Sequence, residues 1–198
     1  QPFNKNDIQE LEKFLKQKEI LLIIDEVQTG VYRTGEFLCS QVYGINPDII
    51  TLAKGLGGGV PIGAILTTHK GIFSPGDHGS TFGGNYLSCA ASLEVLNILE
   101  EKYNDESLKN TSDYFSKKLL ETFENNKNIF KEEVGISLIR GLRVINEEIL
   151  AKLIDSCFNE GLLLLRAGKN TLRFLPALTI TNEEINIGFE RLNNAISK

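Results

Sequence analysis

Ile8, Leu11, Phe14 and Leu15 recur at helical spacing behind Asn6, with Gln9 placed to close a capping box, so the pattern predicts an amphipathic helix over residues 6–18. The period then changes. Ile20-Leu21-Leu22-Ile23-Ile24 is an unbroken β-branched and leucine run ending in Asp25, which predicts a parallel-sheet strand buried on both faces. Ile49-Ile50-Thr51-Leu52-Ala53 follows Pro47-Asp48 and ends at Lys54, and residues 62–67 form a third such run. Helical spacing returns with Ala90, Leu93, Leu96 and Leu99, and again with Leu108, Phe115, Leu119 and Phe123. The Asn-rich stretch 124–128 is the clearest loop. Beyond it, residues 134–145 read as one strand. A helix opened by Asn146, with Glu147 and Glu148 in its first turn, stops at Gly161. Short strands over 162–165 and 171–174 precede a last helix from Thr181, where Glu184 completes a capping box, toward Ile196. The expected fold class is α/β for residues 1–104, followed by a smaller α+β domain over 105–198.

Composition narrows the function classes. Of 198 residues, 41% are hydrophobic and 24% charged, a globular balance that excludes wholesale disorder. Lys+Arg number 21 against 26 Asp+Glu, a formal charge of -5 and the wrong sign for a phosphate-backbone footprint, so no nucleic-acid partner is expected. The three cysteines, Cys39, Cys89 and Cys157, are odd in number and sit among small or apolar neighbours, as buried free thiols do, which points to a reducing, cytoplasmic setting. With only His69 and His78, no zinc ligand set can be assembled. The apolar runs are far shorter than the roughly 20 residues that span a bilayer, and the first residues lack a secretory signal's pattern, so no membrane association is expected. No Met occurs, position 1 included, so the chain reads as a piece of a longer one.

Three stretches carry candidate chemistry. Asp25-Glu26-Val27-Gln28-Thr29-Gly30 puts a carboxylate at a strand mouth, where ligands of open α/β sheets bind; in isolation Asp25 equally suits a loop or helix cap. Lys54 ends an apolar strand before Gly55-Leu56-Gly57-Gly58-Gly59, and its amine needs desolvation or a nearby cation to act as a nucleophile. The bland alternative is a solvated lysine beside a turn. Neither nucleotide motif fits the glycines: Lys54 precedes them, and Val60 or Ile62 stands where a G-x-G-x-x-G needs its last glycine. The third stretch, His78-Gly79-Ser80-Thr81-Phe82-Gly83-Gly84-Asn85, sets two hydroxyls and free amides before a helix, a pattern that suits an anion and also a purely local cap.

Together with Arg33-Thr34-Gly35 and Leu172-Arg173-Phe174-Leu175-Pro176-Ala177-Leu178, these stretches occur in the order and spacing of the class III aminotransferases. The chain closely resembles the acetylornithine branch of that pyridoxal-phosphate family over nearly its whole length, and covers about the second half of such an enzyme. The resemblance implies the fold type I transferase architecture, with residues 1–104 part of the large cofactor-binding domain and 105–198 the small domain. It implies that Lys54 holds pyridoxal 5'-phosphate as a Schiff base and shuttles a proton, and that Asp25, buried, partners the pyridine nitrogen. Val27 would pack on a ring face and Gln28 bond the ring hydroxyl. Thr81 would reach the phosphate from a neighbouring subunit of a homodimer, with Ser80 beside phosphate or substrate and Arg173 on a substrate carboxylate. Glu26 is read either as a carboxylate behind the site or as a partner of Arg33.

The implied reaction moves the terminal amine of N2-acetylornithine to 2-oxoglutarate, giving a semialdehyde and glutamate in arginine biosynthesis. Ornithine, succinyl-diaminopimelate and 4-aminobutyrate are alternative donors. A noncatalytic dimeric relative is the rival outside enzymology, and an intact Lys54 facing Asp25 argues against it. The family's phosphate cup, ring-stacking aromatic, second arginine and glutamate switch lie upstream of these residues, so the chain alone is expected to be inactive. Val31-Tyr32 and the segment 136–143 diverge from the family pattern and carry no assigned chemistry.

Overall fold

The computed structural model describes residues 2–198. The chain divides into two compact units, Phe3–Asn104 and Asp105–Lys198.

In the first unit, helix α1 spans Lys5–Gln17. Its N-cap is Asn4, whose side chain accepts from Asn6 N; the expected cap at Asn6 is thus two residues late. Gln9 closes no box. Its amide instead donates to Tyr43 O at 2.7 Å, tying α1 to α2 (Cys39–Tyr43). Strands β1 (Ile23–Asp25), β2 (Ile49–Leu52) and β3 (Ala64–Thr67) form one sheet in the order β1-β2-β3. β1 and β2 run parallel, with Asp25 paired to Thr51, whereas β3 is antiparallel to β2. The expectation of a doubly buried β1 fails: Ile23 is 58% exposed and Ile20 and Leu21 are exposed as well. β1 is an edge strand of this sheet, so no described strand lies on its far side. Helix α3 (Tyr86–Asn104) follows. Of its four periodic apolar positions only Leu99 is buried; Ala90 and Leu93 are exposed, and Ser88 and Ser92 take inward places.

The second unit closes around its own core. Helix α4 (Ser107–Asn125) ends where the Asn-rich loop was expected. The single strand expected over 134–145 is a hairpin, β4 (Phe130–Ile136) and β5 (Ile139–Val144), paired Ile136 to Ile139. Ser137, at φ 47°, supplies the reversal without the usual Gly or Asn signal, and Leu138 turns into the core. Helix α5 (Glu147–Asn159) is capped by Asn146, β6 and β7 are Leu165–Ala167 and Thr171–Phe174, and α6 (Asn182–Ile196) opens with the Thr181/Glu184 capping box. The sheet order is β4-β5-β7-β6. Leu172 and Phe174 alternate with Thr171 and Arg173 along β7, so one face joins Phe115, Phe189 and Leu142 in the core and the other carries Arg173. Phe115, Phe174 and Phe189 meet ring to ring at 5.4–6.4 Å.

Candidate functional site

Parallel pairing of β1 and β2 sends both chain directions to one sheet edge, so Asp25 and the segment after Leu52 emerge there together. Asp25 Oδ1 accepts from Val27 N at 2.9 Å and from Thr51 Oγ1 at 3.0 Å. The Val27 N–H and the Thr51 hydroxyl hold the Asp25 carboxyl below its ordinary value against an opposing desolvation, and the Lys54 charge pulls the same way. Asp25 and Lys54 are therefore brought together, as expected from their strand ends. Both are exposed, so the expected burial of Asp25 does not hold in this chain, and its carboxylate is kept ionised chiefly by directed hydrogen bonds at an open edge, with the Lys54 charge adding to them.

Lys54 begins a one-turn 3-10 helix, Lys54–Gly57, with φ 46°. A left-handed lysine is strained, and such outliers concentrate where a side chain must be aimed. Its surroundings hold it there. A Cβ on Gly58 (φ 59°) would lie 2.6 Å from Val95 Cγ2, so α3 presses on this turn. Val31, buried and itself at φ 55°, lies beside Gly55. Tyr32 follows at φ 63°, its ring packed against Phe37 and Tyr103. The two divergent positions are thus consecutive left-handed residues, the first of them beside the Lys54 turn.

Val27 and Gln28 sit half-buried in the turn that follows Asp25. Glu26 is buried, its carboxylate accepting from Cys39 N and Ser40 N. Ser80 and Thr81 lie in the exposed loop before α3, where Ser80 Oγ accepts from Gly83 N at 2.9 Å and Asn85 caps α3 through Ser88 N. His69 is exposed and bonded to Asp48 Oδ1 at 2.9 Å. Arg173 belongs to the other unit, half-buried opposite Gly141 on β5, and its Nε is buried with no hydrogen-bond partner among the described residues. Such a donor calls for an acceptor that the described residues do not supply. Thr51 was overlooked as a site residue. Its signal was a lone hydroxyl in an apolar strand, three positions before Lys54.

The sequence profile of aminotransferase class-III matches residues 2–196. The chain belongs to this family. It is 52% identical over 196 residues to an acetylornithine aminotransferase of Wolinella succinogenes, covering 99% of this chain and 50% of that protein. It is 40% identical over 195 residues to a succinylornithine transaminase of Salmonella enteritidis, covering 96% and 47%. The crystal structure of acetylornithine aminotransferase from Elizabethkingia anophelis superposes with a TM-score of 0.88 at 28% identity, covering 98% of this chain and 50% of that one. The chain thus spans about half the length of the curated relatives it matches. Its fold is that of the class III, fold type I aminotransferases. Among the described residues no helix is long and apolar enough to cross a membrane, and no cluster of metal-ligating side chains occurs.

Proposed function

We propose that this chain carries the lysine-bearing part of a pyridoxal-phosphate-dependent acetylornithine aminotransferase, which moves the terminal amine of N2-acetylornithine to 2-oxoglutarate in the cytoplasm. The single observation that carries the reading is the common sheet edge shared by an ionised Asp25 and a left-handed Lys54. The donor set fits the cofactor. Both hydrogen bonds to Asp25 land on Oδ1, leaving Oδ2 to accept the N–H of a protonated pyridine ring. Lys54 Nζ would be the covalent anchor and would then move the proton between substrate carbon and cofactor. Pyridoxal 5'-phosphate supplies an electron sink when the substrate C–H bond breaks.

Val27 would lie on the ring face and Gln28 would hydrogen-bond the ring hydroxyl. Thr81 would reach the phosphate of a partner subunit's site, with Ser80 near phosphate or substrate. The exposure of Phe82 (82%) and Tyr86 (95%) around this loop supports a homodimer, because contiguous apolar side chains there need a cover. Arg173, with its unpartnered buried Nε, would take the carboxylate of 2-oxoglutarate or glutamate.

Borohydride reduction of the full-length holoenzyme followed by peptide mapping is expected to place the pyridoxyl tag on Lys54; a tag elsewhere, or none, sinks the reading. Arg173→Lys is expected to raise KM for 2-oxoglutarate about ten-fold, the loss of one prong of a two-pronged contact. In a competition of acetylornithine, succinylornithine and ornithine, acetylornithine is expected to be consumed first.

A further inference from the structure

Glu26 is a buried carboxylate, 1% exposed, that the proposed chemistry does not use. A carboxylate taken out of water must recover its hydration in directed hydrogen bonds. Here Oε2 accepts from Cys39 N, and Oε1 accepts from Ser40 N at 2.8 Å. These are the first two N–H groups of α2, which lack partners within their own helix. The Glu26 main chain is equally committed: its N–H donates to Thr51 O at 3.0 Å and its carbonyl accepts from Gly30 N at 2.9 Å. One residue therefore joins the end of β1, the strand that leads to Lys54, the turn 26–30 and α2. Because successive residues of an extended segment point to opposite sides, the inward Glu26 leaves Asp25 facing outward.

We infer that Glu26 is a positioning residue: clamped on the start of α2, it fixes the turn that presents Asp25, Val27 and Gln28 to the cofactor. The inference rests on the pyridoxal-phosphate reading of the site. It does not place Glu26 in contact with cofactor or substrate.

The test uses the full-length protein. Glu26→Gln keeps the shape but offers one acceptor oxygen and an amide N–H against two donors. The dissociation constant of pyridoxal phosphate from the apo-protein is expected to rise about ten-fold, as loss of one hydrogen bond to a charged group implies. The pH midpoint of the bound cofactor's visible absorbance is expected to move as well, because a displaced Asp25 holds the ring proton less firmly. A lowered apo-protein Tm with wild-type affinity and an unmoved absorbance profile makes Glu26 a structural cap only and overturns the inference.

Cys39→Pro decides the matter if Glu26→Gln does not fold. It deletes one donor at the first helical position, where proline is tolerated, after Leu38 at φ -117° and ψ 137°, which suits a residue before proline. A smaller change in the same direction supports the clamp, and unchanged affinity and absorbance overturn it. Wild-type protein that binds no pyridoxal phosphate at Lys54 overturns the functional reading itself, whereas normal wild-type binding with indifferent variants overturns the clamp alone.

Discussion

Asp25 and Thr51 are register partners on the parallel β1–β2 ladder, and the Thr51 hydroxyl donates to Asp25 Oδ1 at 3.0 Å. The threonine both aims the carboxylate and favours its charged form, at the end of the strand that leads to Lys54. Thr51→Val keeps the β-branched shape and removes only this donor. It is expected to weaken pyridoxal phosphate binding by the full-length protein about three- to ten-fold, with little change in urea stability. Equilibrium titration of the apo-protein checks the first part and a denaturation midpoint the second.

Lys54 sits at φ 46°, a conformation that glycine adopts without strain. Lys54→Ala and Lys54→Gly both delete the amine and are expected to abolish amino transfer. A left-handed Ala is strained whereas Gly is not, and this outweighs the extra freedom glycine gives the unfolded chain, so the glycine variant is expected to be the more stable by about 1 kcal/mol. Urea denaturation of the two side by side measures this difference, and equal midpoints would remove the case for strain at the site.

Acid sensitivity follows from the carboxylates. The His69 side chain and then the Leu22 N–H hold Asp48 below its ordinary value, linking the start of β2 to the end of β3. A folded-state pKa below the unfolded one contributes stability that is complete above the unfolded value, about 3.9 for Asp, and is lost as pH falls through the folded value. Asp25, Glu160 and Glu184 are lowered too and have the same sign. Stability is therefore expected to hold from neutral pH down to about 4 and to fall below it. Asp48→Asn is expected to shrink that fall, as read by urea midpoints across the pH series.

The cysteines divide by environment. Burial, with Glu160 adding to it, pushes the Cys157 thiol up to about 11, whereas Cys89 lies exposed on α3, contrary to its expected burial. Because the thiolate is the reactive form, alkylation near about pH 8 is expected to spare Cys157 until the protein unfolds. Mass spectrometry of timed iodoacetamide digests follows each site.

What was legible in the sequence was local. Asn146 before two glutamates and Thr181 with Glu184 announce helix starts because a cap needs only side chains within one turn. The order of the Asp25, Lys54, Ser80-Thr81 and Arg173 stretches was likewise enough to mark the family, since it is a property of the chain and not of its folding. The reversal at Ser137 was hidden because a left-handed serine has no compositional signature. The exposed face of α3 was hidden for a different reason: periodicity reports which side of a helix is apolar, and not whether anything covers it.

The chain order by itself determined which residues can carry the chemistry. The tertiary structure alone decided that Thr51 orients Asp25 across 26 positions of sequence, that Glu26 turns inward onto α2, and that Lys54 is aimed by a left-handed backbone. Strand register, parallel direction and the sign of φ arise from packing between segments distant in sequence, and no short window of residues encodes them.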